Sequence, residues 1–132
     1  MSDEKLAYSA LKKKFPMAHW QRFETWAGVG VFDANGCLNG VESWVECKQV
    51  SQPKTPRGRI KPKVRPGQVA WEFLRRRAGG RTFIALLVGS DLVLLKGMYL
   101  ANLKKGVTQT WIRENALRLE VLFDPSFFPS TT

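Results

Sequence analysis

Ser43-Trp44-Val45-Glu46-Cys47-Lys48 is the stretch on which the reading of this chain turns. Side chains alternate along a strand, so Glu46 and Lys48 share one face about 7 Å apart, while Val45 and Cys47 face the other. A carboxylate and an ammonium are thereby fixed beside each other on a rigid element, with an apolar core behind them. Taken alone, a Glu-x-Lys pair describes many solvated strand faces held by a weak ion pair. Its neighbours in the chain set this one apart.

Upstream, a Gly-x-Gly-x-x-Asp stretch runs from Gly28 to Asp33. Residues 29–33 and 41–48 read as two strands, with turn signals at Asn35-Gly36 and Asn39-Gly40 between them. Asp33 ends the first strand and reaches Glu46 if the two pair. Downstream, residues 49–66 form an irregular, proline-rich loop carrying Lys54, Arg57, Arg59, Lys61, Lys63 and Arg65, with no acid among them. A helix follows from about Pro66 to Ala78, opened by proline and closed by Gly79-Gly80, with Val69, Ala70, Phe73 and Leu74 as its buried stripe. Strands at 82–88 and 91–96 are joined by Gly89-Ser90, and their near-continuous apolar character predicts two-sided burial.

At the start, residues 4–14 form an amphipathic helix with Leu6, Ala7, Ala10 and Leu11 on one side, stopped by Pro16. A helix near 108–118 and an apolar segment from Leu119 to Phe123 complete the chain. The expected architecture is a single α/β domain over residues 1–132 in the order αβββαβ.

Composition narrows the chemistry. A hydrophobic share of 44% and five tryptophans mark a globular chain, and 132 residues suit one core. Twenty-one Lys and Arg against 11 Asp and Glu give a formal charge of +10, which favours a polyanionic partner through counterion release. Cys37 and Cys47 are too few for a disulfide framework or zinc cage and read as reduced thiols, Cys47 in the core. The single histidine, His19, removes designs needing two, and its own reading is a surface or core-edge residue. No apolar run approaches a bilayer span and the start lacks a signal-peptide pattern, so the expectation is a soluble protein of the cytoplasm, without a membrane partner.

Carboxylates and lysine must then carry any catalysis. Asp33 and Glu46 converging on one point make a hard oxygen site suited to Mg²⁺, with Mn²⁺ as substitute, and the carbonyl of Cys47 is a further candidate ligand. Such an ion polarises a phosphate and lowers the pKa of an attacking water. Lys48 either orients that water or balances the charge growing on the phosphate.

This series resembles the PD-(D/E)xK nuclease superfamily, and more narrowly the small virus-type replication-repair nucleases, similar in core to Holliday-junction resolvases. The likeness spans roughly residues 18–90: Arg22-Phe23-Glu24, Gly30-Val31-Phe32-Asp33, Trp44-Val45-Glu46-Cys47-Lys48, and Pro66-Gly67-Gln68 opening the next helix. Phe32 stands where the family pattern has proline. The resemblance implies a restriction-endonuclease-like core, a central mixed sheet flanked by helices. It implies Asp33 and Glu46 as metal ligands, Lys48 as catalytic lysine, Gln68 facing the site from its helix, and Glu24 as an additional acid at its edge. It also implies a Mg²⁺-dependent endonuclease acting on branched DNA (a Holliday junction or flap), in phage or mobile-element replication, recombination or repair. A bacterial or phage-infected cell is the setting, and a homodimer suits a four-way junction.

Plainer readings stand beside these. Glu24 can pair with Arg22 or Lys13 at the surface, Glu42 can be an exposed strand-start charge, and Gln68 can satisfy a helix end. The cations of 49–66 suit a semi-extended arm along a phosphate backbone, and equally a solvated loop. Arg75, Arg76 and Arg77 cannot share one helix face. The tryptophans read as core or interface residues. The alternative function is a non-catalytic basic module that binds nucleic acid.

Overall fold

The computed structural model describes residues 4–23 and 30–129. Helix α1 (Glu4–Lys14) leads into a five-stranded sheet: β1 (His19–Arg22), β2 (Ala34–Leu38), β3 (Val41–Val50), β4 (Thr82–Val88) and β5 (Asp91–Lys96), lying side by side in that order. Helix α2 (Gln68–Arg77) falls between β3 and β4, and α3 (Leu100–Lys105) and α4 (Gln109–Asn115) follow β5. The β3–β4 pair is parallel and the other three are antiparallel, so the sheet is mixed and open. A parallel pair needs a long crossover, and the basic loop with α2 supplies it.

The two antiparallel turns follow the sequence signals. Asn39 and Gly40, with φ of 52° and 82°, close β2 onto β3, and Gly89-Ser90 closes β4 onto β5. Asn35-Gly36, by contrast, is not a turn but the middle of β2, and the strand expected at 29–33 begins instead at Ala34. The reason lies in β1. The Trp20 ring crosses Gly36, where a Cβ would stand 2.6 Å from the indole, so the glycine marks a close approach.

Each face of the sheet carries its own core. Ala7 and Leu11 of α1 pack with Val45, Cys47, Phe83, Ala85 and the 3₁₀ turn Leu119–Phe123 on one side. Phe32, Ile84, Leu86, Leu100, Leu103 and Ile112 form the other, with Val69 and Trp71 of α2 against them. Strand β4 is buried along its whole length, as its apolar run predicts. β5, expected to be buried on both faces like β4, is instead an edge strand, exposed at Asp91, with one backbone bridge from Leu117 to Leu94 protecting its outer side.

Helix α2 corrects the expected stripe. Phe73 and Leu74 are exposed, Ala70 is exposed, and the fully buried members are Gln68 and Glu72. Four residues apart, these two share one face, and each polar group finds a partner inside. Glu72 accepts from Thr82 Oγ1 at 2.7 Å and pairs with Arg76 at 2.8 Å. Gln68 belongs to the candidate site.

Candidate active site

The β2–β3 register pairs Ala34 with Val45, so the residue before β2, Asp33, comes opposite Glu46. The two clasp each other through the backbone. Glu46 Oε1 accepts from the Asp33 N–H at 3.1 Å, and Asp33 Oδ1 accepts from the Cys47 N–H at 3.1 Å. Along β3, Val45 and Cys47 enter the α1-side core, which leaves Glu46 and Lys48 on the opposite face as alternation requires. Lys48 Nζ stands 3.2 Å from Glu46 Oε2.

Gln68 joins these groups. Its Nε2 donates to Glu46 Oε2 at 2.6 Å, and its Oε1 accepts from Lys48 Nζ at 2.9 Å and from the Arg65 N–H at 3.0 Å. The orientation of the amide follows from its surroundings: its oxygen faces two donors and its nitrogen faces a carboxylate. Asp33, Glu46, Lys48 and Gln68 are all buried. Opposite charges in contact, with Gln68 hydrogen-bonded to both, are what make burial of Glu46 and Lys48 tolerable.

Two glycines bring α2 to this point. Gly30 has φ of 80°, and a Cβ there would lie 2.1 Å from the Gly67 carbonyl oxygen. Gly67 itself, with φ of 86°, caps α2 in the left-handed region and turns Gln68 inward. Phe32 is fully buried with its ring 5.0 Å from that of Trp71, an aromatic contact that anchors the loop before β2 to α2.

Other expected residues fall as follows. Glu24 lies outside the described residues, as do Gly28 and Trp26. The Cys47 thiol lies in the α1-side core, and burial, with Asp33 and Glu46 nearby and a hydrogen bond with the Asp33 side chain, holds its pKa well above the usual value. The Cys47 carbonyl shares an edge of β3 with its N–H, the edge occupied by Asp33, because both groups of a strand residue point the same way. Glu42 is exposed and accepts from Asn35 Nδ2 at 2.9 Å. His19 is exposed on β1.

Lys54, Arg57, Arg59, Lys61 and Lys63 are exposed, whereas Arg65 is not simply a member of the loop. Its guanidinium, a quarter exposed, reaches to 3.5 Å from Glu46 Oε2. Sequence reasoning missed this contact, and the only signal for it was nearness in the chain to Gln68. The loop is no loose arm either. Gln109 Nε2 donates to the carbonyls of Thr55 and Gly58, and Arg59 Nη2 donates to the Gly106 carbonyl. Of the arginine triplet, Arg75 lies over the Trp44 and Trp71 rings, Arg76 pairs with Glu72, and Arg77 is exposed. Trp20 meets Tyr8 and Phe123, and Trp111 meets Tyr99, so these rings are packing residues.

The donor set is two carboxylates and a backbone carbonyl. Among the described residues no three His, Cys, Asp or Glu side chains gather as a metal cage. That composition does not suit a structural zinc, which takes four nitrogen, sulfur or carboxylate ligands in a closed site. It does fit Mg²⁺, which binds one or two carboxylates and keeps several waters. No protein-family model matches this chain, and no curated protein matches it. Among the described residues no helix is long and apolar enough to cross a membrane.

Proposed function

We propose that this chain is a metal-dependent nuclease that hydrolyses DNA phosphodiester bonds, built on the restriction-endonuclease-like plan of the PD-(D/E)xK superfamily. One observation carries the reading: the side chains of Glu46, Lys48 and Gln68 meet at a single buried point, and buried Asp33, from a third segment, is joined to Glu46 through its N–H. An ordinary surface ion pair has no need of a glutamine brought in on a glycine-built turn.

Asp33 and Glu46, with the Cys47 carbonyl, would hold Mg²⁺ or Mn²⁺. When bound, the ion supplies a Lewis acid for the phosphate and lowers the pKa of water. The chain's own groups do the rest. Lys48 presents an ammonium that can donate to the attacking water or to a phosphate oxygen. Gln68 holds Lys48 and Glu46 in mutual register, since its amide touches both. Arg65 adds a second cation at the Glu46 carboxylate, where a phosphate diester would arrive. The charge of +10 supports a polyanionic substrate. Branched DNA in phage or mobile-element replication, recombination or repair is the substrate class and setting proposed by resemblance. A two-fold dimer would set one site on each of two strands.

The test is incubation of the purified protein with labelled four-way-junction, flap and linear DNA in Mg²⁺, Mn²⁺ or EDTA. Cleavage that needs the metal is expected. Binding on every substrate without cleavage in either metal would instead establish a non-catalytic basic module.

A further inference from the structure

The basic loop has an internal order. From residue 59 to 63 exposure alternates: Arg59, Lys61 and Lys63 are exposed, while Ile60 and Pro62 are buried; Val64 then packs on the same core as Ile60, and Arg65 is half-buried. Ile60 and Val107 exchange both backbone hydrogen bonds at 2.8 Å, which makes the segment a one-bridge strand at that point. Lys61 and Arg65 each precede a proline, which restricts both to extended backbone. Arg59 and Lys61 lean over the same glycine, each within 3.6 Å of the place where a Gly106 Cβ would stand. The far end is Arg65, bound to Gln68 through its N–H and to Glu46 through its guanidinium.

An extended segment sets alternate side chains on one side about 6.6 Å apart, so four cations stand in a row about 20 Å long. That step is comparable with the spacing of neighbouring phosphates along one strand, paired or unpaired, since the ~3.4 Å rise of a duplex is measured along its axis and not between phosphates. A duplex strand winds away from a straight row of this length. Lys54 and Arg57 do not belong to it: the chain turns at Thr55–Gly58, closed by the Gly58 N–H to the Thr55 carbonyl at 3.0 Å.

We propose that residues 59–65 form a ladder for one unpaired nucleic-acid strand, with successive phosphates on Arg59, Lys61, Lys63 and Arg65. The last rung delivers its phosphate beside Glu46 and Lys48. The strand is thus read on one side of the reacting bond, which favours a flap or the single-stranded arm of a branch. This rests on the nucleic-acid partner proposed above.

The experiment measures binding of 5′-labelled oligothymidylates, one to eight nucleotides long, by fluorescence anisotropy in EDTA across a salt series. Affinity is expected to climb with each phosphate up to four and then level off. The salt slope for the four-phosphate oligomer should be about −3, given about 0.7 per single-strand phosphate. Lys61→Gln and Lys63→Gln should each remove about 0.7 from that slope, whereas Lys54→Gln and Arg57→Gln leave it unchanged. All four residues are exposed, so the variants keep the fold. Equal losses in all four variants, or a blunt duplex binding as tightly as the single strand, would overturn the ladder. The expected pattern without metal-dependent cleavage would retain the ladder and remove the nuclease. Cleavage by the wild type with indifferent Lys61 and Lys63 variants would do the reverse.

Discussion

Gln68 hydrogen-bonds Lys48 and Glu46 at once, accepting from the ammonium at 2.9 Å and donating to the carboxylate at 2.6 Å. Two residues on β3 are thereby locked to a helix that begins twenty positions after Lys48 (68 − 48 = 20). Truncation leaves a buried ammonium and a buried carboxylate each short of a partner. Gln68→Ala should cost about 1 to 3 kcal/mol of stability. If the proposed chemistry is correct, cleavage should fall roughly 10 to 100-fold, the usual effect of losing a group that orients a ligand. Urea denaturation and single-turnover cleavage, run on the same preparation, check the two parts separately.

The approach of Gly30 to Gly67 makes a sharper structural prediction. A methyl at position 30 would meet the Gly67 carbonyl at 2.1 Å, on a backbone with φ of 80°. Gly30→Ala should therefore destabilise the fold by more than about 1 kcal/mol, since strain adds to the clash. Gly40→Ala has open space around its Cβ and keeps only the penalty of its positive φ of 82°. The midpoint of denaturation should drop further for Gly30→Ala than for Gly40→Ala, and equal drops would contradict the close approach.

The two cysteines should differ in reactivity. Burial, with Asp33 and Glu46 beside it, raises the Cys47 pKa well above its ordinary 9.0, while Cys37 is only half-buried. The thiolate is the nucleophile, so iodoacetamide at pH 8 should label Cys37 first and leave Cys47 intact in the folded protein. The same shift has a stability consequence. Above about pH 9 the unfolded chain releases the Cys47 proton and the folded chain keeps it, so stability contributed by this group is present at neutral pH and declines as pH rises. Mass spectrometry of labelled peptides reads the first effect, and thermal melts of wild type and Cys47→Ala between pH 8 and 10 read the second.

Arg81 fastens the end of the chain to the sheet. Its guanidinium donates to the carbonyls of Val121 at 3.1 Å and Leu122 at 3.2 Å, to that of Phe127, and to Ser43 Oγ at 3.2 Å. Ser43 Oγ in turn donates to the Leu122 carbonyl at 2.7 Å. Arg81→Ala should cost about 1.5 to 3 kcal/mol, the range for hydrogen bonds to a charged group. Limited proteolysis should then cut within residues 119–129 before the rest of the chain, whereas an unchanged digest would show that apolar packing alone holds the segment.

How much of this was legible in the sequence depends on where each residue's partners lie. Strands β4 and β5 with their Gly89-Ser90 turn, helix α1, and the opposed faces of Glu46 and Cys47 follow from local periodicity. Strand β2 was misplaced because Asn-Gly is also a turn signal, and only the distant Trp20 shows why Gly36 sits within a strand. The inner face of α2 was misread because hydrophobic stripes are expected to be buried. Its buried residues are polar, satisfied by Glu46, Lys48 and Thr82 from other elements. Arg65 read as one more loop cation, since its contact with Glu46 exists only after the crossover has folded back.

The proposed activity is tested most directly by comparing wild type with Lys48→Ala on one labelled four-way junction or flap, in Mg²⁺, with DNA binding measured alongside. Metal-dependent cleavage by the wild type is expected to fall by at least about 100-fold in Lys48→Ala, as for loss of a general acid–base group, while affinity for DNA stays within a few-fold. Glu46→Gln should behave the same way. Cleavage at the wild-type rate by Lys48→Ala would contradict the role given to the lysine.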